Sequence, residues 1–234
     1  VAIKVVYLRI WGNSSDPWTI GSSCAQLNQF RDYWNANMTS VSRHLAHLLS
    51  GRNLGGGCAW LSAVCTSDGY AVSGNLAGSF PLPVVDHSWN NWDPFVVAHE
   101  LGHNCDTPHT HDYEPPIDDC YDDGELGDCT DAWGGTIMSY CHLCGGGLSN
   151  IVLSFHPIVQ VTIENYLAND IACTLDDCSG AGACCVGENC SIMTASDCSS
   201  SGGTYLGDNT NCNGDPCYVP QPGACCLNEN CSIM

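Results

Sequence analysis

The sequence predicts an α+β domain over residues 1–172, followed by small disulfide-rich repeats at residues 173–222 and 223–234. Three observations carry this. The first region mixes strand-like and helix-like spacing of apolar residues. Cysteine density rises abruptly at Cys173, from eight in 172 residues to eleven in the last 62. Finally, the block GACCVGENCSIM at 182–193 returns as GACCLNENCSIM at 223–234, with ten of twelve positions identical at an offset of 41.

Taken in order, Ala2 to Trp11 reads as a strand of mixed burial. Cys24 to Trp34 and Val41 to Leu49 have helical spacing, which Gly51 and the Gly55-Gly56-Gly57 run bring to an end. Cys58 to Cys65 and Tyr70 to Ser73 read as strands. Asp93-Pro94 is a helix start, with Asp as N-cap and Pro at the first helical position, and the helix runs through His103. A last helix begins near Pro157 and carries Ile158, Val161 and Tyr166 towards Asp170.

The second region has few large apolar groups, so it needs covalent staples to hold a fold. Its first copy holds six cysteines (184, 185, 190, 198, 212 and 217), which fits three bridges. Val219 to Pro222 reads as a short stiff linker. The second copy breaks off at Met234 and the chain opens on Val1, so the natural protein is expected to extend beyond both.

Composition narrows the function. A hydrophobic fraction of 44% supports a core. No apolar run approaches the ~18 residues of a membrane helix, and Val1 to Trp11 lacks the pattern of a signal peptide. Nineteen cysteines point to an oxidising, extracellular setting. Zinc-finger arrays need repeated Cys-x-x-Cys pairs, and only Cys141 and Cys144 have that spacing. The net charge is −20, and all five Lys and Arg lie in the first 52 residues. Residues 53–234 hold 23 acids without one Lys or Arg. Nucleic acid and anionic membranes are thereby excluded as partners, since both are held by cationic side chains. The same stretch offers no site to trypsin-like enzymes.

The chemistry concentrates at His99-Glu100-Leu101-Gly102-His103. On a helix, the i, i+4 spacing puts both imidazoles on one face, suited to one zinc ion, with Glu100 beside them to take a proton from water. His109 follows six residues after His103. To reach the same metal the chain must leave the helix and turn back, and Asn104 to Pro108 is composed for such a turn. Three neutral imidazoles leave the fourth position for water, which is a catalytic rather than a structural arrangement. His111 competes with His109 as third ligand. Gly134-Gly135-Thr136-Ile137-Met138-Ser139-Tyr140-Cys141 lies downstream.

The pattern from His99 to His109, followed by this Met-containing turn, resembles the metzincin metalloendopeptidases. Ala98 to Asn104 and Cys58 to Cys65 look most like their adamalysin (reprolysin) branch. The resemblance covers roughly residues 1–170. It implies a zincin domain with a twisted mixed sheet, an active-site helix, a Met-turn and a C-terminal helix, incomplete at its N-terminus. It implies Zn2+ bound by His99, His103 and His109, with Glu100 as general base and proton shuttle. Met138 is then the packing floor beneath the metal. Protein or peptide substrates would lie extended along an edge strand near Tyr70 to Ser73. Two departures stand out. Asp106 occupies a position that is usually Gly, where positive φ is needed. Tyr140 has a spacing known from the astacin and serralysin branches, in which a Tyr reaches the zinc or steadies the transition state.

Residues 112–131 hold nine acids. Of these, Asp119, Asp122, Asp123, Glu125 and Asp128 form a candidate Ca2+ site, the alternative being a solvated loop tied by its cysteines. Asp208, Asn209, Asn211, Asn213 and Asp215 form a weaker cluster of that kind. His44, His47, His87, His142 and His156 read as packing or surface residues. For the early cysteines the local pairings are Cys58–Cys65 and Cys120–Cys129, with Cys105 tied to Cys141 or Cys144. The expected function is a secreted zinc endopeptidase. The alternative is an extracellular structural protein, self-associating through its repeats, with the zinc domain inactive or self-processing.

Overall fold

In a computed structural model, residues 3–12, 15–173, 175, 182–207, 210–214 and 216–217 are described, with the backbone of 224–227 and 230–233. The linker at 219–222 and Asp208, Asn209 and Asp215 lie outside the described residues. The chain divides into two units, residues 6–174 and residues 175–234 together with 1–5.

In the larger unit the elements run α1 (Ser23–Asn37), β1 (Ala46–Leu49), β2 (Gly57–Ala59), β3 (Tyr70–Ser73), α2 (Trp92–Asn104), β4 (Tyr121–Asp122), β5 (Glu125–Leu126) and α3 (Pro157–Asn169). The first three strands form one sheet in the order β1-β3-β2, with β3 parallel to β1 and antiparallel to β2. Strand β3 is buried at every position. Its Tyr70 and Val72 join Leu27 and Phe30 of α1, Leu48 of β1 and Trp18 in the first core cluster. Trp18 meets Phe30 edge-on at 5.3 Å, and Phe30 meets Tyr70 at 5.7 Å, the arrangement that ring quadrupoles favour. Residues alternate across a strand, so Ser73 faces the same side as Ala71, towards α2.

His47 ties the sheet to α2. The Ser73 hydroxyl donates to the Val96 carbonyl of α2, and His47 Nε2 donates to that hydroxyl at 2.8 Å. Burial pushes the His47 pKa down to about 4. The unfolded chain therefore takes up this proton first as pH falls below the ordinary value. Stability is then lost between about pH 6.5 and 4, by up to roughly 3 kcal/mol from this group. Urea unfolding at pH 7 and pH 4.5 is expected to show a smaller pH difference for His47→Gln than for the parent.

Several elements differ from the sequence reading. Residues 3–12 form no strand, and Ile3, Val5, Leu8 and Ile10 are exposed. Aromatic contacts hold this segment instead, with Tyr7 edge-on to Trp34 of α1 at 5.9 Å and Trp11 to Trp18 at 5.4 Å. The stretch from Val41 to Leu49 is no helix but leads into β1. Its short apolar run also fits period two, and Ala46 and Leu48 point inwards. The strand expected over Cys58 to Cys65 is only β2, because the chain turns at Ser62 (φ +53°). Strand β3 is central rather than an edge. Asp93 lies inside α2, where its carboxylate accepts from the Ala77 and Gly78 amides, and Asn91 precedes the helix. On α3 the buried residues are Val159, Ile163 and Tyr166, while Ile158 and Val161 face solvent.

The cysteines pair as Cys24–Cys58, Cys65–Cys173, Cys120–Cys141 and Cys129–Cys144. None of the pairings expected from proximity forms, and Cys105 is free. Local spacing failed because the bridges tie elements that packing, not sequence, brings together.

In the other unit, β6 (Gly182–Val186) and β7 (Asn189–Met193) form a hairpin. The helix α4 (Ala195–Ser200) follows, and β8 (Thr204–Tyr205) pairs with β6. The bridges Cys184–Cys198, Cys185–Cys217 and Cys190–Cys212 consume the six cysteines of the first copy. In the second copy, β9 (Ala224–Leu227) and β10 (Asn230–Ile233) form the equivalent hairpin.

Candidate metal centre and active site

Helix α2 carries the centre and packs on β2 and β3. It is anchored by Asn104, fully buried, whose side-chain amide donates to the Trp60 and Tyr70 carbonyls at 2.8 and 3.1 Å. The helix ends in a Schellman motif. The Thr107 amide reaches back to the Gly102 carbonyl, and the Asp106 amide to that of His103. Asp106 takes the left-handed position with φ +70°, and its carboxylate accepts from the Ser62 hydroxyl. A polar contact thus supports a conformation that glycine adopts without strain.

This turn returns the chain towards the helix face. One ring nitrogen from each of His99, His103 and His109 lies within 4.8 Å of the others. His99 Nδ1 donates to the Ile137 carbonyl at 2.6 Å, and His103 Nδ1 to that of Thr107 at 2.8 Å. His109 Nδ1 faces the Asp112 carboxylate at 3.3 Å. Each Nε2 therefore presents a lone pair, fixed by the partner of the opposite nitrogen. His103 Nε2 and His109 Nε2 stand only 3.1 Å apart. Two such lone pairs repel unless a cation lies between them, so the donor set fits a metal ion. Burial lowers the pKa of all three rings, and the neighbouring imidazoles add to this at His99 and His109. They are neutral at neutral pH, the state that binds metal.

Glu100 is buried, and among the described residues its Oε2 has no hydrogen-bond partner. Burial raises its pKa to about 8. It lies under the edge strand β2, where a Cβ added to Gly57 would stand 2.2 Å from Glu100 Oε1. Met138 is fully buried, and its Sδ would stand 2.4 Å from a Cβ added to Gly102. Its carbonyl accepts from the Thr110 amide, next to His109, at 3.1 Å. The turn around Met138 thus supports His99 through the Ile137 carbonyl and His109 through that of Met138. The Tyr140 ring lies 4.3 Å from that of His109 and 6.0 Å from that of His99. Burial, reinforced by the charge of Glu100, holds its pKa at about 12.

His111 stacks on His109 at 5.1 Å but does not group with His99 and His103. The five acids chosen for calcium do not converge. Asp119, Asp122, Asp123, Glu125 and Asp128 are all exposed, and no group of them could hold an ion among the described residues. Four of them, Asp122, Asp123, Glu125 and Asp128, serve turns instead. Asp122 and Glu125 pair across the hairpin β4–β5, which Asp123 (φ +40°) and Gly124 (φ +92°) close. Asp128 accepts from the Thr130 amide and hydroxyl. Sequence reasoning missed Asp112, for which the only signal was an acid three residues after His109. It also missed the carbonyls of Ile137 and Thr107, which carry no side-chain signal.

No curated protein matches the chain. A family model of the reprolysin type, described as metallo-peptidase family M12, matches residues 2–151. That span includes α2, the returning turn and the Met138 turn, and on this match the chain belongs to metallo-peptidase family M12.

Proposed function

We propose that this metallopeptidase is a secreted zinc endopeptidase. The observation that carries the reading is the convergence of three neutral imidazoles beside a buried carboxylate whose Oε2 has no partner among the described residues. Zinc, when held by His99, His103 and His109, supplies the acidity that makes water a nucleophile at neutral pH and polarises the scissile carbonyl. Glu100 accepts the proton of that water and returns it to the leaving amine. Its carboxyl would be ionised for this role once a dication is held by the three histidines, against the effect of burial. Met138 packs beneath the site. Tyr140 stays protonated and donates to the oxygen on which charge develops.

An extended peptide would add to the outer edge of β2, the strand over Glu100, with its backbone amides and carbonyls completing the ladder. The seven bridges among the described residues support an oxidising, extracellular setting. No helix of the described residues is long and apolar enough to cross a membrane.

The test is cleavage of casein by the chain refolded under oxidising conditions, with metal content measured alongside. About one zinc per chain and cleavage that a chelator abolishes and zinc restores are expected. Zinc bound without cleavage, together with self-association through the repeats, would favour the structural alternative. Tyr140→Phe is expected to lower kcat about 10- to 100-fold with KM and zinc content little changed.

A further inference from the structure

We propose that the depression between the C-terminal end of α1 and the segments 41–43 and 65–70 binds a carboxylate borne on a small apolar group, either a free acid or the C-terminal residue of a peptide. The cavity measures about 280 Å³, at the small end of ligand pockets, so it suits one residue rather than a length of chain. Its lining includes Trp34, Asn35, Met38, Thr39, Ser42 and Arg43, and no Asp or Glu. None of the lining residues belongs to the metal centre.

Arg43 is held in place there without a counter-ion. Its Nη1 donates to the Gly69 carbonyl at 3.3 Å and its Nη2 to the Tyr70 hydroxyl. Its Cζ stands over the rings of Tyr70 and Trp34, 4.3 and 5.3 Å from their centroids. Among the described residues no carboxylate pairs with it, whereas Arg31 pairs with Asp32 and Asp68, and Arg52 with Asp16. Asp68, whose charge reaches Tyr70, is thus engaged by Arg31, at 3.5 Å. In a chain of net charge −20, a fixed guanidinium in an acid-free depression is a place where an outside anion is not repelled.

The hydrogen bonds of the site run in one direction. Arg43 donates to the Tyr70 oxygen, and the Tyr70 hydroxyl donates to Asn35 Oδ1 at 2.6 Å. Tyr70 is fully buried, which fixes the chain of bonds from beneath. The side-chain oxygens of Tyr70 and Asn35 are thereby engaged. What remains are donors: the other N–H bonds of Arg43 and the Asn35 amide, with the Thr39 and Ser42 hydroxyls beside them. A planar carboxylate fits this set, because a guanidinium offers it parallel N–H bonds. Trp34, Met38 and Val41 supply an apolar wall for the group that carries the acid. A dianion such as phosphate would find a single cation in the lining.

The experiment titrates the isotope-labelled full chain with N-acetyl-leucine and with its neutral amide, at matched ionic strength, while NMR follows the Arg43 Nε–H and Asn35 side-chain amide signals. Saturable shifts of both signals are expected with the acid, and binding weaker by about tenfold or more with the amide. A tripeptide blocked at its N-terminus and ending in leucine distinguishes the sources: binding as tight as the acid's assigns the site to peptide C-termini, and binding of the acid alone assigns it to small organic acids. Arg43→Gln is expected to weaken the acid's binding by about tenfold or more. Thr39→Asp, at an exposed position, supplies a carboxylate within the depression and is expected to do the same with Arg43 and its contacts in place. Equal binding of acid and amide, shifts that sodium chloride alone reproduces, or undiminished binding of the acid in a folded variant of either kind would overturn the proposal. The readout involves no metal and no cleavage, so it stands or falls apart from the endopeptidase reading.

Discussion

Glu100→Gln is expected to lower kcat/KM for a casein-derived peptide by about 10²- to 10⁴-fold, with zinc still bound at about one per chain. The substitution keeps volume and removes only the ability to take a proton. Glu100 is enclosed between β2 and α2, so no solvated group can substitute at the same place. Gly57→Ala should imitate much of this loss with Glu100 itself unchanged, since the new methyl would displace its carboxylate from the space Oε1 holds. Kinetics on zinc-loaded variants, with metal content measured on the same samples, checks both. Retained activity in Glu100→Gln would remove the general base from the mechanism.

Cys184→Ala with Cys198→Ala is expected to unfold residues 182–217. Both cysteines are fully buried, and among the described residues of this segment the other buried hydrophobic residues are Ala183 and Cys217. The loop closed by this bridge is short, with a separation of 14 residues. Loss of a native bridge in so small a unit still costs about 2–5 kcal/mol, comparable to all the stability such a core can supply. Loss of the two sulfurs also leaves a void at the centre of the unit, where both cysteines are fully buried. Amide hydrogen exchange over 182–217 measures the effect. Protection equal to that of the parent would mean that the remaining bridges, Cys185–Cys217 and Cys190–Cys212, suffice.

The grouping of His99, His103 and His109 was legible because it depends on short sequence intervals. Helical periodicity places His99 and His103 on one face, and a turn of five residues can return only to its immediate neighbourhood, where His109 lies. Asp106 was legible as a strained position only through the resemblance, which has Gly there, the residue that takes positive φ freely. The sheet was not. Val41 to Leu49 satisfies both helical and strand spacing, and the choice between them falls to Tyr70 and Val72, about 25 residues away, through the ladder of β1 with β3. Ala2 to Trp11 has strand propensity, but propensity supplies no partner. The acids at 119–128 resemble an ion site in sequence because oxygen ligands and turn residues share one composition, and only the folded chain shows that the five do not group.

The Cys65–Cys173 bridge encloses 108 residues of separation, a ring that contains both α2 and the Met138 turn. A single backbone scission anywhere between residues 66 and 172 would leave the two fragments joined. Self-digestion at one loop would then pass unseen on a non-reducing gel and appear as two bands only after thiol treatment. The nicked enzyme could keep its ligands together and go on working.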